Sequence, residues 1–189
     1  MTSPATAGFT IRRTLPEDLP VARVIMIRTF EEDFGTGYQP AVHTDVADLA
    51  AVYLANPRNA LFVAVDDSGQ VVATAGVRDG ALKAGLSPDR LVARYDPART
   101  AQLVRVYTLR EHRRRGIARA LVRAALQFVV DDGGYSIVAL HTFPNSPGAL
   151  GFWESIGTTI VEDDRDGPSK AVFFEMPMDR VHDFLARSA

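Results

Sequence analysis

Residues 103–126 read LVRVYTLREHRRRGIARALVRAAL, and the change of pattern inside this stretch decides the fold. Leu103 to Thr108 is β-branched or bulky with polar interruptions, the pattern of a strand. From Ile117 the apolar residues recur at Ile117, Leu121, Ala124 and Phe128, the period of a helix. Between the two lies Arg113-Arg114-Arg115-Gly116-Ile117-Ala118. Gly116 removes the Cβ that would block a close backbone approach, and the first turn of a helix leaves about four N–H groups without intrahelical acceptors. The helix dipole adds partial positive charge at that end, and three guanidinium groups add full charges beside it. This is the construction of an anion site. The plainer alternative is a solvated, positively charged helix start. Arg115, Arg119 and Arg123, spaced by four, read as the outer helix face, with Arg115 alone in reach of a phosphate.

Outward from this stretch, strands and helices interleave without repeats or a Pro/Gly-rich linker. Phe9 to Arg13 predicts a strand, and Pro16-Glu17-Asp18 opens a helix with an apolar face of Leu19, Val24 and Ile27. Phe30 to Pro40 reads as a loop, and Thr44 or Asp45 as the cap of a second helix ending before Pro57. Ala60 to Asp66 and Gln70 to Asp79 predict a hairpin around Asp66-Asp67-Ser68-Gly69. Ala84 to Thr100, with Pro88 and Pro97, reads as a long polar connection. Gly133-Gly134 stops the helix that begins at Ile117, and Tyr135 to His141 predicts another strand. A short helix around Ala149 to Ser155, a second hairpin of Ile160 to Asp166 and Ala171 to Met178, and a helical turn from Val181 to Arg187 complete the chain. The order predicts an α+β fold, a mixed sheet with helices on its faces.

Composition sets independent bounds. At 189 residues, 47% hydrophobic and 23% charged, the chain suits a single domain over residues 1–189. A net charge of −2 gives no global drive toward nucleic acid or an anionic membrane, although Lys83 and Lys170 are the only lysines among 21 basic residues. With no cysteine, disulfides, thiolate metal sites and an acyl-cysteine intermediate are excluded, and no metal site is expected. MTSPATAGFT lacks the basic and apolar segments of a signal peptide, and no apolar run reaches about 18 residues. A cytoplasmic protein is expected.

Arg113 to Ala118 fits the pattern Q/R-x-x-G-x-G/A, and in this respect the chain resembles the GNAT superfamily of acyl-CoA-dependent N-acyltransferases. Phe9 to Pro20 resembles the family's first strand running into its first helix. Asn145, Ala149, Phe152-Trp153-Glu154-Ser155-Ile156 and Gly157 are similar to its second signature, and Val172 to Met178 to its closing strand. The resemblance covers roughly residues 9–178. It implies a GNAT-like, mostly antiparallel sheet flanked by helices, with coenzyme A bound between splayed central strands.

The resemblance also implies a reaction: an acetyl group passes from acetyl-CoA directly to an amine in a ternary complex. Arg113, Arg114, Arg115, Gly116, Ile117 and Ala118 would hold the pyrophosphate. Val106, Tyr107 and Thr108 would pair with the pantetheine like an extra strand, with Asn145 and Trp153 beside it. Main-chain N–H groups around Tyr107 to Leu109 would polarise the thioester carbonyl. Trp153 stands where many members carry a tyrosine acid, and the strand carries Arg105 and Tyr107 where many carry an acidic base. Tyr107 is therefore the catalytic residue to test, with Tyr38 and His141 as other groups able to move a proton. Asn145 alone reads as an Asx turn before Pro147, and His141 as a strand-end histidine.

Substrate choice falls to the segments that flank the thioester in this family. Here they carry Glu31, Glu32, Asp33 and Tyr38, and Glu162, Asp163, Asp164 and Asp166, which would draw in a cationic small-molecule or peptide amine. Two solvated, turn-forming charge runs are the alternative. Gly35-Thr36-Gly37 is no dinucleotide fingerprint, since Pro40 takes the last glycine position. No Walker loop, G-x-S-x-G or H-E-x-x-H occurs, and Arg110 to Arg123 lacks the aromatic platform of a nucleic-acid binder. Neither nucleic acid nor membrane is an expected partner, and the assembly expected is a monomer or homodimer. The rival reading is a non-catalytic acyl-CoA sensor of the same fold.

Overall fold

Phe9-Thr10-Ile11 alternates buried, exposed, buried, and strand β1 (Phe9–Arg13) follows from that alternation. The computed structural model describes residues 8–80, 82–146 and 148–187, so the readings placed on residues 1–7 and on Pro147 lie outside the described residues. After β1 a single 3-10 turn, Pro16–Asp18, leads into helix α1 (Leu19–Glu32). Asp18 ties the entry together: its carboxylate accepts from the Leu15 N–H at 2.7 Å and from both Arg12 Nη groups at 2.5 and 2.9 Å. The Arg12 guanidinium holds the Asp18 carboxyl below its ordinary range, against the opposing effect of burial. A depressed folded-state pKa contributes stability above the unfolded value of about 3.9 and loses it as pH falls through the folded value. Asp18→Asn should therefore melt below the wild type at pH 7, and the two melting curves should converge in acid.

The face that α1 buries is Ala22, Ile25, Met26, Thr29 and Phe30, not the expected Leu19, Val24 and Ile27. Val24 is 55% exposed. The i, i+3, i+4, i+7 series starts at small Ala22 and passes through Thr29, whose hydroxyl donates to the Ile25 carbonyl at 2.9 Å and so hides its polarity. The helix also runs through Phe30-Glu31-Glu32, the first residues of the expected loop. The expected second helix is two: α2 (Thr44–Ala47) and α3 (Leu49–Tyr53). Asp48 divides them, adopting φ −141° and accepting from the Ala51 N–H at 2.9 Å as the cap of α3. Neither Thr44 nor Asp45 is a cap, since both lie inside α2, which His43 precedes.

Strands β2 (Ala60–Asp66) and β3 (Val71–Asp79) form the predicted hairpin, its turn closed by Asp66, which accepts from the Ser68 and Gln70 N–H groups. The polar connection beyond it contains helix α4 (Asp89–Arg94) and a 3-10 turn at Pro97–Arg99. Strand β4 (Thr100–Thr108) begins three residues before the apolar run. Thr100 and Gln102 are buried yet satisfied, by the Asp96 and Gly80 carbonyls at 2.7 and 3.0 Å. Helix α5 (Ile117–Asp132) buries Ile117, Leu121, Val122, Ala125, Leu126 and Val129, while Ala124 and Phe128 are only partly buried. It stops at Gly133, whose φ of +72° suits the residue after a helix. Then come β5 (Ile137–Thr142), α6 (Ala149–Ser155), β6 (Thr159–Asp163), β7 (Val172–Pro177) and α7 (Met178–Ala186), the last beginning three residues earlier than expected.

The seven strands follow the order β1-β2-β3-β4-β5-β7-β6 in one sheet. The pairs β1/β2, β2/β3, β5/β7 and β6/β7 are antiparallel, and β4/β5 is parallel. The mixed, mostly antiparallel sheet flanked by helices is as expected. The parallel register runs Thr100–Gln102 against Ile137–Ala139, a third of the length of β4. The chain divides into two compact units, Met1–Val77 with Arg105–Phe128, and Arg78–Val104 with Val129–Ala189. In the first, Ile25, Val63 and Val71 pack with Val65, Tyr107 and Leu109. In the second, Leu82, Leu91, Tyr95, Ala139, Ala171 and Phe173 form the cluster. Among the described residues no helix is long and apolar enough to cross a membrane.

Candidate active site

In the first unit, β4 carries a kink at Arg105, which adopts φ +55° inside a strand. The left-handed conformation costs an L residue about 1–2 kcal/mol, and it re-aims the peptide that follows. The Arg105 carbonyl accepts from the Thr74 hydroxyl at 2.8 Å. Beyond the kink, the Leu109 N–H donates to the Val72 carbonyl at 3.1 Å, which removes Leu109 from the expected carbonyl-polarising donors. Successive N–H groups of a strand alternate sides, so Tyr107 shares the side of Leu109, while Val106 and Thr108 direct theirs to the other.

Arg105 forms a two-pronged ion pair with Asp45, Nε to Oδ2 at 2.9 Å and Nη2 to Oδ1 at 2.6 Å. Asp45 is 2% exposed and also accepts from the Tyr53 hydroxyl at 2.6 Å. The guanidinium lies 5.2 Å above the Phe30 ring and 3.4 Å from the Tyr107 hydroxyl. Burial opposes its charge, but Tyr107 and Asp45 outweigh burial and raise its pKa further. Tyr107 stands edge-on to Phe30 and Phe34, at 5.9 and 5.8 Å between centroids. Burial pushes its hydroxyl pKa up, so the phenol stays protonated at neutral pH. His43 stacks on Phe30 at 3.9 Å and on Tyr38 at 5.9 Å, and Arg23 lies over the Tyr38 ring. Burial, then the charge of Arg105, lowers the His43 pKa and keeps the imidazole neutral. Its Nδ1 accepts from the Gln39 N–H at 3.1 Å, so the other nitrogen carries the proton and acts as a donor, not a base.

The Arg-Gly turn shows a built main-chain cradle. Arg114 and Gly116 both take left-handed φ, +64° and +79°, just before the first turn of α5. Alternation of this kind turns successive N–H groups toward one point, the concavity that binds anions. A Cβ placed on Gly116 meets no protein atom within 4 Å. The glycine thus answers to its left-handed conformation, not to close packing within the chain. Arg114 and Arg115 are exposed. Arg115 reaches His112 Nδ1 at 3.2 Å and the Gly8 carbonyl at 3.4 Å. Arg113 instead turns inward, donating to the Thr108 carbonyl at 3.0 Å and to Asp33.

The expected acidic face is largely engaged within the protein. Asp33 pairs with Arg110 and Arg113, which hold its carboxyl below the ordinary range although burial acts to raise it. Glu32 pairs with Arg28 at 3.0 Å and faces Arg110 at 3.8 Å. Glu31 is exposed on the last turn of α1.

The remaining expected residues lie in the second unit. Asp164 builds its own turn, accepting from the Ser169 N–H at 2.8 Å and from the Ser169 hydroxyl. Glu162 pairs with Arg90, and Asp163 with Arg165. Asn145 is exposed in the turn after β5, whose main-chain bonds include Ser146 N–H to Phe143 O at 3.0 Å. Trp153 is buried at the end of α6, edge-on to Phe152, and its carbonyl accepts from the Thr158 hydroxyl. His141 lies on β5 with its ring 5.6 Å from Phe173. The sequence reading missed Asp45, Tyr53 and the Phe30–Phe34–His43 group. The one signal available was Arg105, an arginine inside a strand, which demands a buried acid but does not say which. Among the described residues no group of histidines and acids could hold a metal ion.

A bent strand thus runs into an Arg-Gly turn at the start of a long helix, within a mixed seven-stranded sheet. The family model for the Acetyltransferase (GNAT) family matches residues 24–158, and the chain belongs to that family. N-acetyltransferase 8 of Rattus norvegicus is 35% identical over 118 residues, covering 61% of this chain and 46% of that protein. Human N-acetyltransferase 8B is 35% identical over 117 residues, covering 62% and 46%. The chain thus spans just under half the length of these relatives. Among solved structures, yncA from Salmonella typhimurium with its cofactor acetyl-CoA gives a TM-score of 0.67 at 17% identity, covering 90% of this chain and 94% of that one. Spermidine N-acetyltransferase from Vibrio cholerae with CoA and spermine gives 0.63 at 14%, covering 94% and 99%. Acetyl-CoA is the cosubstrate of this family.

Proposed function

We propose that residues 1–189 form one catalytic domain that moves an acetyl group from acetyl-CoA directly to an amine within a ternary complex. The observation that carries this reading is the left-handed pair Arg114 and Gly116 at the start of α5, a cradle with open space before it. Bound acetyl-CoA supplies the activated acetyl group as a thioester. The chain supplies binding, orientation and charge stabilisation. The first-turn N–H groups of α5, with Arg114 and Arg115, hold the pyrophosphate. The Thr108 N–H would pair with the pantetheine as a neighbouring strand would. The Val106 N–H, re-aimed by the kink, would donate to the thioester oxygen, where negative charge grows as the amine attacks. Tyr107 contributes by packing, its raised phenol being turned toward Arg105. With no cysteine in the sequence, a thioester on the enzyme has no residue to form on. Initial rates should give intersecting lines when both substrates are varied. Parallel lines with an acetylated enzyme detectable by mass would overturn direct transfer.

Two further outcomes follow from this arrangement. Asp33 and Glu32 are paired with arginines, which weakens the pull of these two acids on a distant cation. The KM of a cationic acceptor at saturating acetyl-CoA should change by less than about twofold between low salt and 0.5 M, where the screening length falls to a few ångströms. A steep rise in KM would restore acidic steering. Trp153 offers the leaving thiolate no acid, since indole does not release its proton at neutral pH. Trp153→Tyr should raise kcat several-fold, within the range a positioned acid provides. An unchanged kcat in a folded variant would mean that thiolate protonation does not limit turnover.

A further inference from the structure

We infer that Asp45 is a positioning residue, whose ion pair with Arg105 holds β4 in the kink that aims the Val106 N–H. The inference rests on the role given above to that N–H and names what maintains it. A non-glycine residue keeps φ +55° only where its surroundings fix it from several sides. Arg105 is fixed from three. Its carbonyl accepts from Thr74, its guanidinium is gripped at both nitrogens by Asp45, and the guanidinium lies over the Phe30 ring. The grip is itself oriented, because the fully buried Tyr53 donates its hydroxyl to Asp45 Oδ2.

The pair is not explained by stability alone. A buried ion pair is on average no better for folding than well-packed apolar side chains of the same volume, so an arginine and an aspartate retained here are informative about conformation. The pair also joins distant parts of the chain: Asp45 lies on α2, sixty residues before Arg105. Extended β4 would put residue 105 at a normal strand φ and turn the next N–H away. The side chain of Arg105 therefore acts on the chemistry through its own backbone, by way of Asp45.

Glycine separates conformation from charge, because it adopts φ +55° at no steric cost and has no side chain to grip. The readout is the infrared carbonyl stretch of enzyme-bound acetyl-CoA labelled with 13C at the thioester carbon, which needs no acceptor. Binding to the wild type should lower the stretch. Arg105→Gly should keep the lowered frequency, and Arg105→Ala should return it toward that of free acetyl-CoA. Asp45→Asn should lose the shift in the Arg105 background and cause no further change in the Arg105→Gly background. Turnover with the best amine of a panel should follow the same order, with about a hundredfold loss for Arg105→Ala. Affinity for CoA itself should vary by about twofold or less, since the contacts of the pair include none of the residues given to the pyrophosphate.

If Arg105→Gly behaves like Arg105→Ala, charge rather than the kink matters, and the inference is overturned. An unchanged shift in folded Asp45→Asn overturns it as well. Should Asp45→Asn fail to fold, the comparison of Gly and Ala at position 105 still decides. A wild type that binds acetyl-CoA without lowering the carbonyl stretch refutes the role of the Val106 N–H, a failure distinct from these.

Discussion

Gly116→Glu should lower acetyl-CoA affinity by at least about a hundredfold while leaving the fold intact. Two effects act in the same direction. A glutamate at φ +79° is strained, and its carboxylate lies where the cradle must accept a pyrophosphate. Like charges brought together at a binding interface cost several kcal/mol. Nothing in the protein lies within 4 Å of a Cβ at this position, so the new side chain enters open space without disrupting the core. Gly116→Ala separates the two effects, since it keeps about 1 kcal/mol of backbone strain and adds no charge. Calorimetric titration of both variants should place Ala between the wild type and Glu. Equal affinity of Glu and wild type would remove the pyrophosphate from this loop.

The second large effect is on stability. Asp45→Ala should destabilise the protein by about 3–5 kcal/mol, because it leaves the Arg105 guanidinium buried without its counter-charge. The Tyr53 hydroxyl loses its acceptor in the same substitution. Replacing both partners, as Asp45→Leu with Arg105→Met, should recover part of that loss: the buried charge is gone, but the Asp45 acceptor of the Tyr53 hydroxyl is still missing. Denaturant midpoints of the three proteins test this. A single substitution costing under about 1 kcal/mol would show that the ion pair is worth no more than an exposed one.

Much of the sheet was legible because its strands alternate or are uniformly apolar, as in Phe9–Arg13 and Ala60–Asp66. The Arg-Gly turn was legible because a strand period changes to a helix period around it. Other features were hidden by polar residues that satisfy themselves internally. Thr29 bonds to the carbonyl of Ile25, which disguised the buried face of α1, and Thr100 and Gln102 do the same for the start of β4. The pairing of the acidic residues was hidden for a related reason. Sequence displays charge but not pairing, and Asp33 finds Arg110 and Arg113 some eighty residues away. The kink at Arg105 had no local signature at all, since arginine rarely takes a left-handed φ unless tertiary contacts hold it there.

Acetyl-CoA binding followed by transfer is the central expectation, and one preparation tests both. Acetyl-CoA is titrated into the wild-type protein by calorimetry, and free thiol is then measured against a panel of cationic and neutral amines. Saturable binding with thiol release that depends on an amine is the predicted result. No binding would contradict the account at its base, reducing the Arg-Gly turn to a charged helix start; binding with no thiol release for any amine would contradict catalysis and leave an acyl-CoA sensor.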